Sequence, residues 1–187
     1  MRRPFLAILG SGKGSNFEAI YCAIQQEKLK AEIKLVVSDV ADAGILQKAE
    51  QFYVPHFFIQ TDKFEKETIA LLQQHQIDLV ILAGFMKILS PNFLKQFPNR
   101  ILNIHPSLLP QFPGKKAWEK AWKSGVKETG CTVHLVTEKV DQGKILAQER
   151  VTISPHDTPE SLHQRIQQQE HQLYPAAIQA YWMQISR

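Results

Sequence analysis

The sequence predicts an α/β protein: a doubly wound, mostly parallel sheet with helices on both faces. Short apolar runs alternate with amphipathic segments from one end of the chain to the other, the order that repeated strand–helix–strand units produce. A glycine-rich stretch, Gly10-Ser11-Gly12-Lys13-Gly14, follows the first apolar run at once and opens into a helical pattern. In such folds, ligands bind outside the carboxyl ends of the strands.

The elements follow in order. Phe5–Leu9 reads as a buried strand, and a helix runs from about Asn16 to Glu27 with Ser15 and Asn16 at its cap. Ile33–Val37 is a second strand, Gly44–Tyr53 a helix, and Pro55–Ile59 a short strand. Asp62–His75 is helical, and Leu79–Ala83 is the most apolar strand. Ser90-Pro91 has the chemistry of an N-cap followed by proline in the first turn, starting a short helix to Phe97. Ile101–His105 is a strand ended by Pro106, and a proline-marked loop follows to Gly114. A helix over Lys116–Ser124 precedes two strands, Cys131–Val136 and Ile145–Thr152, around the loop Thr137–Lys144. Thr158-Pro159 caps a long last helix, with a bend expected at Pro175. With no internal repeat, low-complexity tract or linker, residues 1–187 are expected to form a single domain.

Composition bounds the function. Of 187 residues, 44% are hydrophobic and 21% charged, the balance of an ordinary globular protein, which excludes disorder and collagen-like repeats. Lys plus Arg number 22 against 18 Asp plus Glu, a net +4 that favours anionic ligands but is too dispersed to demand nucleic acid. Cys22 and Cys131 have no CxxC spacing, so reduced thiols and a cytoplasmic protein are expected. The apolar stretch after Arg2-Arg3 is shorter than the roughly 7–15 residues of a signal-peptide core. The longest apolar run, Leu79–Met86, falls far short of the ~20 residues that span a bilayer. The seven histidines show no HxH, HExxH or mixed Cys/His spacing, so no metal is expected.

Four places could carry chemistry. The glycine loop fits neither GxxxxGK[ST] nor GxGxxG, since its third glycine, Gly14, comes one position early. It is either a plain tight turn or a cradle in which backbone N–H groups of Gly12, Lys13, Gly14, Ser15 and Asn16 meet an anion at a helix N-terminus. In the strand Ile101–His105, alternation puts Asn103 and His105 on one face and Leu102 and Ile104 on the other. An amide donor and an imidazole pointing the same way at a strand end can polarise a carbonyl and stabilise an oxyanion. A lone histidine there would more simply be structural. Asp141-Gln142-Gly143 reads first as a turn. If the fold brings that carboxylate to His105, it would orient the imidazole and stabilise its charged form. Glu170 lies near the edge of an apolar stripe formed by Leu162, Ile166 and Leu173, and either reaches solvent or meets a cation inside.

Other features read as structural. Lys116, Lys120 and Lys123 form a solvated stripe on one helical face opposite Trp118 and Trp122, which are expected to face the core. His134 alternates with Cys131, Val133 and Leu135 in its strand and has no evident partner.

Taken together, these residues are identifiable. The chain resembles the phosphoribosylglycinamide formyltransferase family, folate-dependent enzymes of purine biosynthesis with a Rossmann-like formyltransferase fold. The match is carried by Ser11-Gly12-Lys13-Gly14-Ser15-Asn16, Leu82 through Pro91, Leu102 through Pro110 and Thr129 through His134, followed by Asp141-x-Gly143 and Gln169-Glu170-His171. The resemblance implies formyl transfer from 10-formyltetrahydrofolate, as co-substrate, to the amine of glycinamide ribonucleotide. It assigns catalysis to Asn103, His105 and Asp141, substrate phosphate to Gly12, Lys13, Gly14, Ser15 and Asn16, and the substrate amine to Glu170. Folate contacts would come from Met86, Lys87, Ile88, Leu89, Asn103, Thr137, Val140 and Asp141. Family members often carry an arginine just before the third helix for the folate tail. Here Thr61-Asp62-Lys63 stands there, with Lys63 the candidate substitute, and Lys144 stands where proline commonly follows Asp-x-Gly.

Two rivals share the Asn-x-His…Asp set. Methionyl-tRNA formyltransferases typically read SLLPRxRGAAP where this chain has Ser107 through Ala117, and they add a tRNA-binding domain of roughly 100 residues, an ordinary domain size, for which no room is expected. Formyltetrahydrofolate hydrolases carry an extra N-terminal regulatory domain. A non-catalytic nucleotide-binding module is the alternative from another class, but pure binding would not require the Asn103/His105 pair.

Overall fold

In the computed structural model, residues 2–186 are described. Thirteen elements follow one another: β1 (Phe5–Leu9), α1 (Ser15–Gln25), β2 (Glu32–Ser38), α2 (Gly44–Gln51), β3 (His56–Phe58), α3 (Phe64–Gln74), β4 (Leu79–Leu82), α4 (Pro91–Gln96), β5 (Ile101–His105), α5 (Ala117–Ser124), β6 (Glu128–Leu135), β7 (Ile145–Thr152) and α6 (Pro159–Ile185). The strands form one open seven-stranded sheet in the order β3-β2-β1-β4-β5-β6-β7. The first five are parallel, and β6 and β7 are antiparallel additions.

Strand alternation divides the core. Leu6, Ile8, Leu102 and Ile104 face one side, where they pack with Phe17 and Ile20 of α1, Ile45 of α2 and Ile166, Tyr174 and Ile178 of α6. Ala7, Leu9, Val80, Leu82 and Ile101 face the other, against Phe64 and Leu72 of α3 and Phe93 after Ser90. The parallel strands β1 and β4 are covered on both faces, which is why they read as unbroken apolar runs. The chain winds outward from β1 to β3, then crosses back to β4 on β1's other side. That reversal leaves a crevice at the carboxyl ends of β1 and β4, the topological switch point.

The helix ends follow their sequence signals in part. Ser90 accepts a hydrogen bond from the Phe93 N–H, and Pro91 takes the first turn of α4. Thr158 and Ser161 form a reciprocal capping box at the start of α6, with Pro159 in the first turn. Helix α6 runs on through Pro175 as one element of 27 residues. Its inward face carries Tyr174, whose buried hydroxyl lies 3.0 Å from the Leu82 carbonyl and 2.9 Å from the Leu102 carbonyl. This ties the last helix to β4 and β5, immediately beneath the crevice.

Three sequence readings need correction. The N-cap of α1 is Gly14, in the left-handed conformation, and no side chain caps the helix. Strand β6 begins at Glu128, not Cys131, because Glu128, Thr129 and Gly130 pair with Thr152, Val151 and Arg150, a contact that local pattern does not encode. In α5 the fully buried positions are Ala117 and Ala121. Trp122 is exposed and its indole N–H donates to the Asp157 carbonyl at 2.7 Å, while half-buried Trp118 stacks on His163 at 3.9 Å. The small alanines allow α5 to sit close, so the large rings lie at its flanks. The lysine stripe is exposed, with Lys116 and Lys123 both paired to Glu119.

Candidate active site

Strand β5 delivers the central pair. Asn103 and His105 lie on the same face at the carboxyl end of the strand, and β6 runs antiparallel beside it with Asn103 opposite His134 and His105 opposite Thr132. The Asn103 amide nitrogen is 3.1 Å from His134 Nε2. His134 Nδ1 is 2.9 Å from the Leu135 carbonyl, an acceptor that requires the proton on Nδ1 and leaves Nε2 to receive the Asn103 N–H. Burial holds the His134 imidazole below its ordinary pKa, in keeping with a neutral ring. One Asn103 N–H is therefore committed to His134, which fixes the amide plane and aims the second proton away from it.

His105 is buried between two acceptors. Its Nε2 lies 3.0 Å from the Phe112 carbonyl and its Nδ1 3.5 Å from Asp141 Oδ2. Ser107 donates to the Gln111 carbonyl at 2.6 Å and also approaches that of Phe112. The loop is further clamped by Thr132, whose hydroxyl donates to the Ser107 carbonyl at 2.7 Å and accepts the Leu109 N–H at 3.0 Å. Gln148 closes the clamp by donating to both Thr132 Oγ1 and the Leu109 carbonyl, each at 2.9 Å.

Asp141 reaches this place because its turn is tight. It has a positive φ of 55°, and its Oδ2 accepts the Gly114 N–H at 2.8 Å. Two residues on, a Cβ at Gly143 would stand 1.7 Å from the Leu135 carbonyl oxygen, so only glycine lets the loop fold back over β6. The Asp-x-Gly segment is a turn, and that turn also brings the carboxylate to His105. Asp141 Oδ1 also lies 3.6 Å from His134 Nε2.

The glycine loop fills the crevice beside this cluster. Gly14 has φ 76°, and a Cβ there would meet the Ile45 Cα at 2.7 Å. The first main-chain bond of α1 runs from the Glu18 N–H to the Gly14 carbonyl at 3.0 Å. The amides of Ser15, Asn16 and Phe17 thus precede the helical ladder and have no side-chain cap. Uncapped amides, the helix dipole and exposed Lys13 are what an anion cradle would need. The Asn16 side chain turns inward and donates to Glu170 Oε2 at 2.9 Å, so its amide group serves the carboxylate and not the cradle.

Glu170 therefore faces inward, joining the cradle to α6. It is 5% exposed, and burial pushes its carboxyl up to about 7, with the Asn16 hydrogen bond opposing the shift. Neighbouring Cys131 is likewise pushed up to about 12, chiefly by burial, which marks it as an inert core thiol.

The remaining sequence candidates fall along one rim. Met86, Ile88 and Val140 are exposed apolar side chains, the first and second at 61% and 76%. Thr137 is exposed in the same loop as Val140 and Asp141. Leu89 is instead largely buried in the α3–α4 core and shows only a small part of itself to the groove beside Lys87. A groove of about 690 Å³ continues from Lys87 past Thr61, Asp62 and Lys66. Lys63 is absent from its lining and sits at the N-cap of α3. Lys66, in the first turn of α3, lines the groove instead. Sequence reasoning passed over His134, the Phe112 carbonyl and the Gly114 N–H. The first needed the β5–β6 register, and the other two are backbone groups that carry no residue signature. Among the described residues, no cluster of three or more His, Cys, Asp or Glu side chains is gathered to hold a metal, and no helix is long and apolar enough to cross a membrane.

An amide, an imidazole and a carboxylate gathered at the end of β5, beside the switch point of an open sheet, are the groups that acyl-type transfer calls for. Residues 5–178 match the formyl transferase family, and the chain belongs to it. The phosphoribosylglycinamide formyltransferase of Bacillus subtilis (strain 168) is 41% identical over 178 residues, covering 92% of this chain and 91% of that protein. The crystal structure of glycinamide ribonucleotide transformylase 1 from Symbiobacterium toebii superposes with a TM-score of 0.93 at 40% identity, covering 96% of this chain and 87% of the other. That of phosphoribosylglycinamide formyltransferase from Brucella melitensis gives 0.91 at 44% identity, covering 96% of each.

Two outcomes follow. Gly143→Ala should push the loop off Leu135 and cut turnover by about 10²-fold, the scale of a displacement near 1 Å at reacting groups, while far-ultraviolet circular dichroism stays native; wild-type activity would show that the turn does not place Asp141. Glu170→Gln probes the buried charge. Since the folded carboxyl is raised to about 7 against an unfolded value of 4.5, its contribution is most favourable below pH 4.5 and is lost as pH rises through 7. In urea denaturation Glu170→Gln should exceed wild type by up to about 3 kcal/mol at pH 8, with the advantage shrinking toward pH 5. An equal difference at both pH values would mean that Glu170 is not buried as a charge.

Proposed function

We propose that this chain transfers a formyl group from 10-formyltetrahydrofolate to the amine of glycinamide ribonucleotide, a step of purine biosynthesis. The observation that carries the reading is Asn103 and His105 on one face of β5 with Asp141 Oδ2 3.5 Å from the imidazole, beside an uncapped helix N-terminus suited to the substrate phosphate. The family supplies the donor, and no metal enters the mechanism.

The amine nitrogen attacks the formyl carbon, and the carbonyl oxygen becomes an oxyanion. Asn103 offers its second amide proton to that oxygen. Asp141 and the Phe112 carbonyl set the position of His105, whose Nδ1–H can donate to the oxyanion with modest ring movement. Collapse of the tetrahedral adduct breaks the bond to the folate nitrogen, and the proton lost by the attacking amine passes to that nitrogen through water. Glu170, whose carboxyl burial raises to about 7, can take the proton of the substrate ammonium and so leave the amine neutral and nucleophilic. Gly12, Lys13, Gly14, Ser15 and Asn16 hold the phosphate through backbone N–H groups and the Lys13 ammonium. Met86, Lys87, Ile88, Thr137 and Val140 face the folate, with Leu89 at the edge of the same groove. Lys66 takes the tail position first assigned to Lys63.

The direct test is formation of the deformylated folate, followed by absorbance, with glycinamide ribonucleotide as acceptor and a chelator present. Transfer should proceed without metal or nucleoside triphosphate. Hydrolysis of the donor at the same rate without acceptor, or transfer only to charged tRNA, would sink the assignment. Asn103→Ala and His105→Ala should each lower kcat by about 10²–10³, the scale of a lost oxyanion donor.

A further inference from the structure

Asp39 follows β2 directly, and its side chain is only 5% exposed. Its two oxygens have different partners. Oδ1 accepts the Ser11 hydroxyl at 2.6 Å, and Oδ2 lies 3.2 Å from Lys87 Nζ. The Ser11 oxygen, its proton committed to Asp39, accepts the Met86 N–H at 3.0 Å, and the Ser11 N–H donates to the Gly84 carbonyl at 3.1 Å. Lys87 also donates to Thr61 Oγ1. One buried carboxylate thereby gathers the loops that leave β2, β1, β3 and β4.

We propose that Asp39 is a positioning residue for formyl transfer, fixing the Ser11–Gly14 anion loop and the Met86–Lys87 segment against each other so that acceptor and donor meet in register. The inference rests on the proposed reaction, because it assigns one loop to the acceptor phosphate and the other to the folate. A carboxylate this buried would be costly without partners, and here each partner belongs to a different substrate's loop. The direction of the chain is also determined: Ser11 has a single hydroxyl proton, so donation to Asp39 leaves its lone pairs for Met86. Burial alone would have been served equally by two partners on one loop.

The two arms can be cut separately. Asp39→Asn keeps an oxygen for Ser11 but removes the charge opposite Lys87. Ser11→Ala cuts the link to the anion loop and to Met86 while leaving the ion pair. Asp39→Ala cuts both. Steady-state kinetics with both substrates varied, alongside thermal denaturation, should show Asp39→Asn raising the KM for the folate about tenfold and leaving that for the ribonucleotide within about twofold. Ser11→Ala, which frees Met86 as well as the anion loop, should raise the KM for the ribonucleotide and, to a smaller extent, that for the folate; Asp39→Ala should raise both, and in that variant kcat should fall less than either kcat/KM. A loss in all three variants that tracks only the unfolded fraction, or unchanged KM values throughout, would overturn the proposal. Absence of transfer by the wild-type protein would overturn the underlying reaction instead, so the two failures are distinct.

Discussion

The site depends on one buried carboxylate set between two loops. Asp141 comes from the β6–β7 loop, yet its Oδ2 accepts a backbone N–H from Gly114 in the β5–α5 loop and faces His105 at the end of β5. That hydrogen bond ties the two loops to each other over the imidazole. The Phe112 carbonyl engages the other ring nitrogen from the same proline-marked loop. A ring with acceptors at both nitrogens is held in plane and in a donor role. Ser107, Thr132 and Gln148 then make the loop rigid from below. The proposed chemistry would therefore rest on a stack of hydrogen bonds that begins in the sheet and ends on His105.

The sheet order makes this geometry possible. Five parallel strands bring their carboxyl ends to one edge, and the return from β3 to β4 opens the crevice beside β1. The two antiparallel strands do something the parallel ones cannot: β6 runs back past β5 and sets His134 opposite Asn103. Helix α6 closes the floor, with Tyr174 on the Leu82 and Leu102 carbonyls and Glu170 one turn earlier against Asn16. The raised carboxyl of Glu170 is a stability cost at neutral pH, the kind of compromise found at functional sites.

Much of this was legible in the sequence, and what was hidden shares a physical reason. Strands β1, β5 and β7 and the caps at Ser90 and Thr158 follow from local apolar runs and capping chemistry. Asn103 and His105 were readable because strand alternation is a local rule. His134 was set aside because its role comes from the register of a neighbouring strand. The inward turn of Glu170 was undecided because the partner that settles it, Asn16, lies 154 residues away in the chain. Trp118 and Trp122 misled because hydrophobicity suggested a buried face, whereas close helix packing selected the alanines. Lys63 caps α3 and Lys66 lies in its first turn, and only the groove beside that helix separates them.

In the proposed mechanism Asp141 acts on the reaction through His105. A double-mutant cycle tests it most directly, comparing His105→Ala, Asp141→Ala and the double variant in single-turnover formyl transfer. If the carboxylate works by holding the imidazole, the double variant should be no slower than His105→Ala by more than about threefold, because the second change removes support for a group already gone. Losses that multiply across the pair would contradict the account and give Asp141 a role of its own in the chemistry.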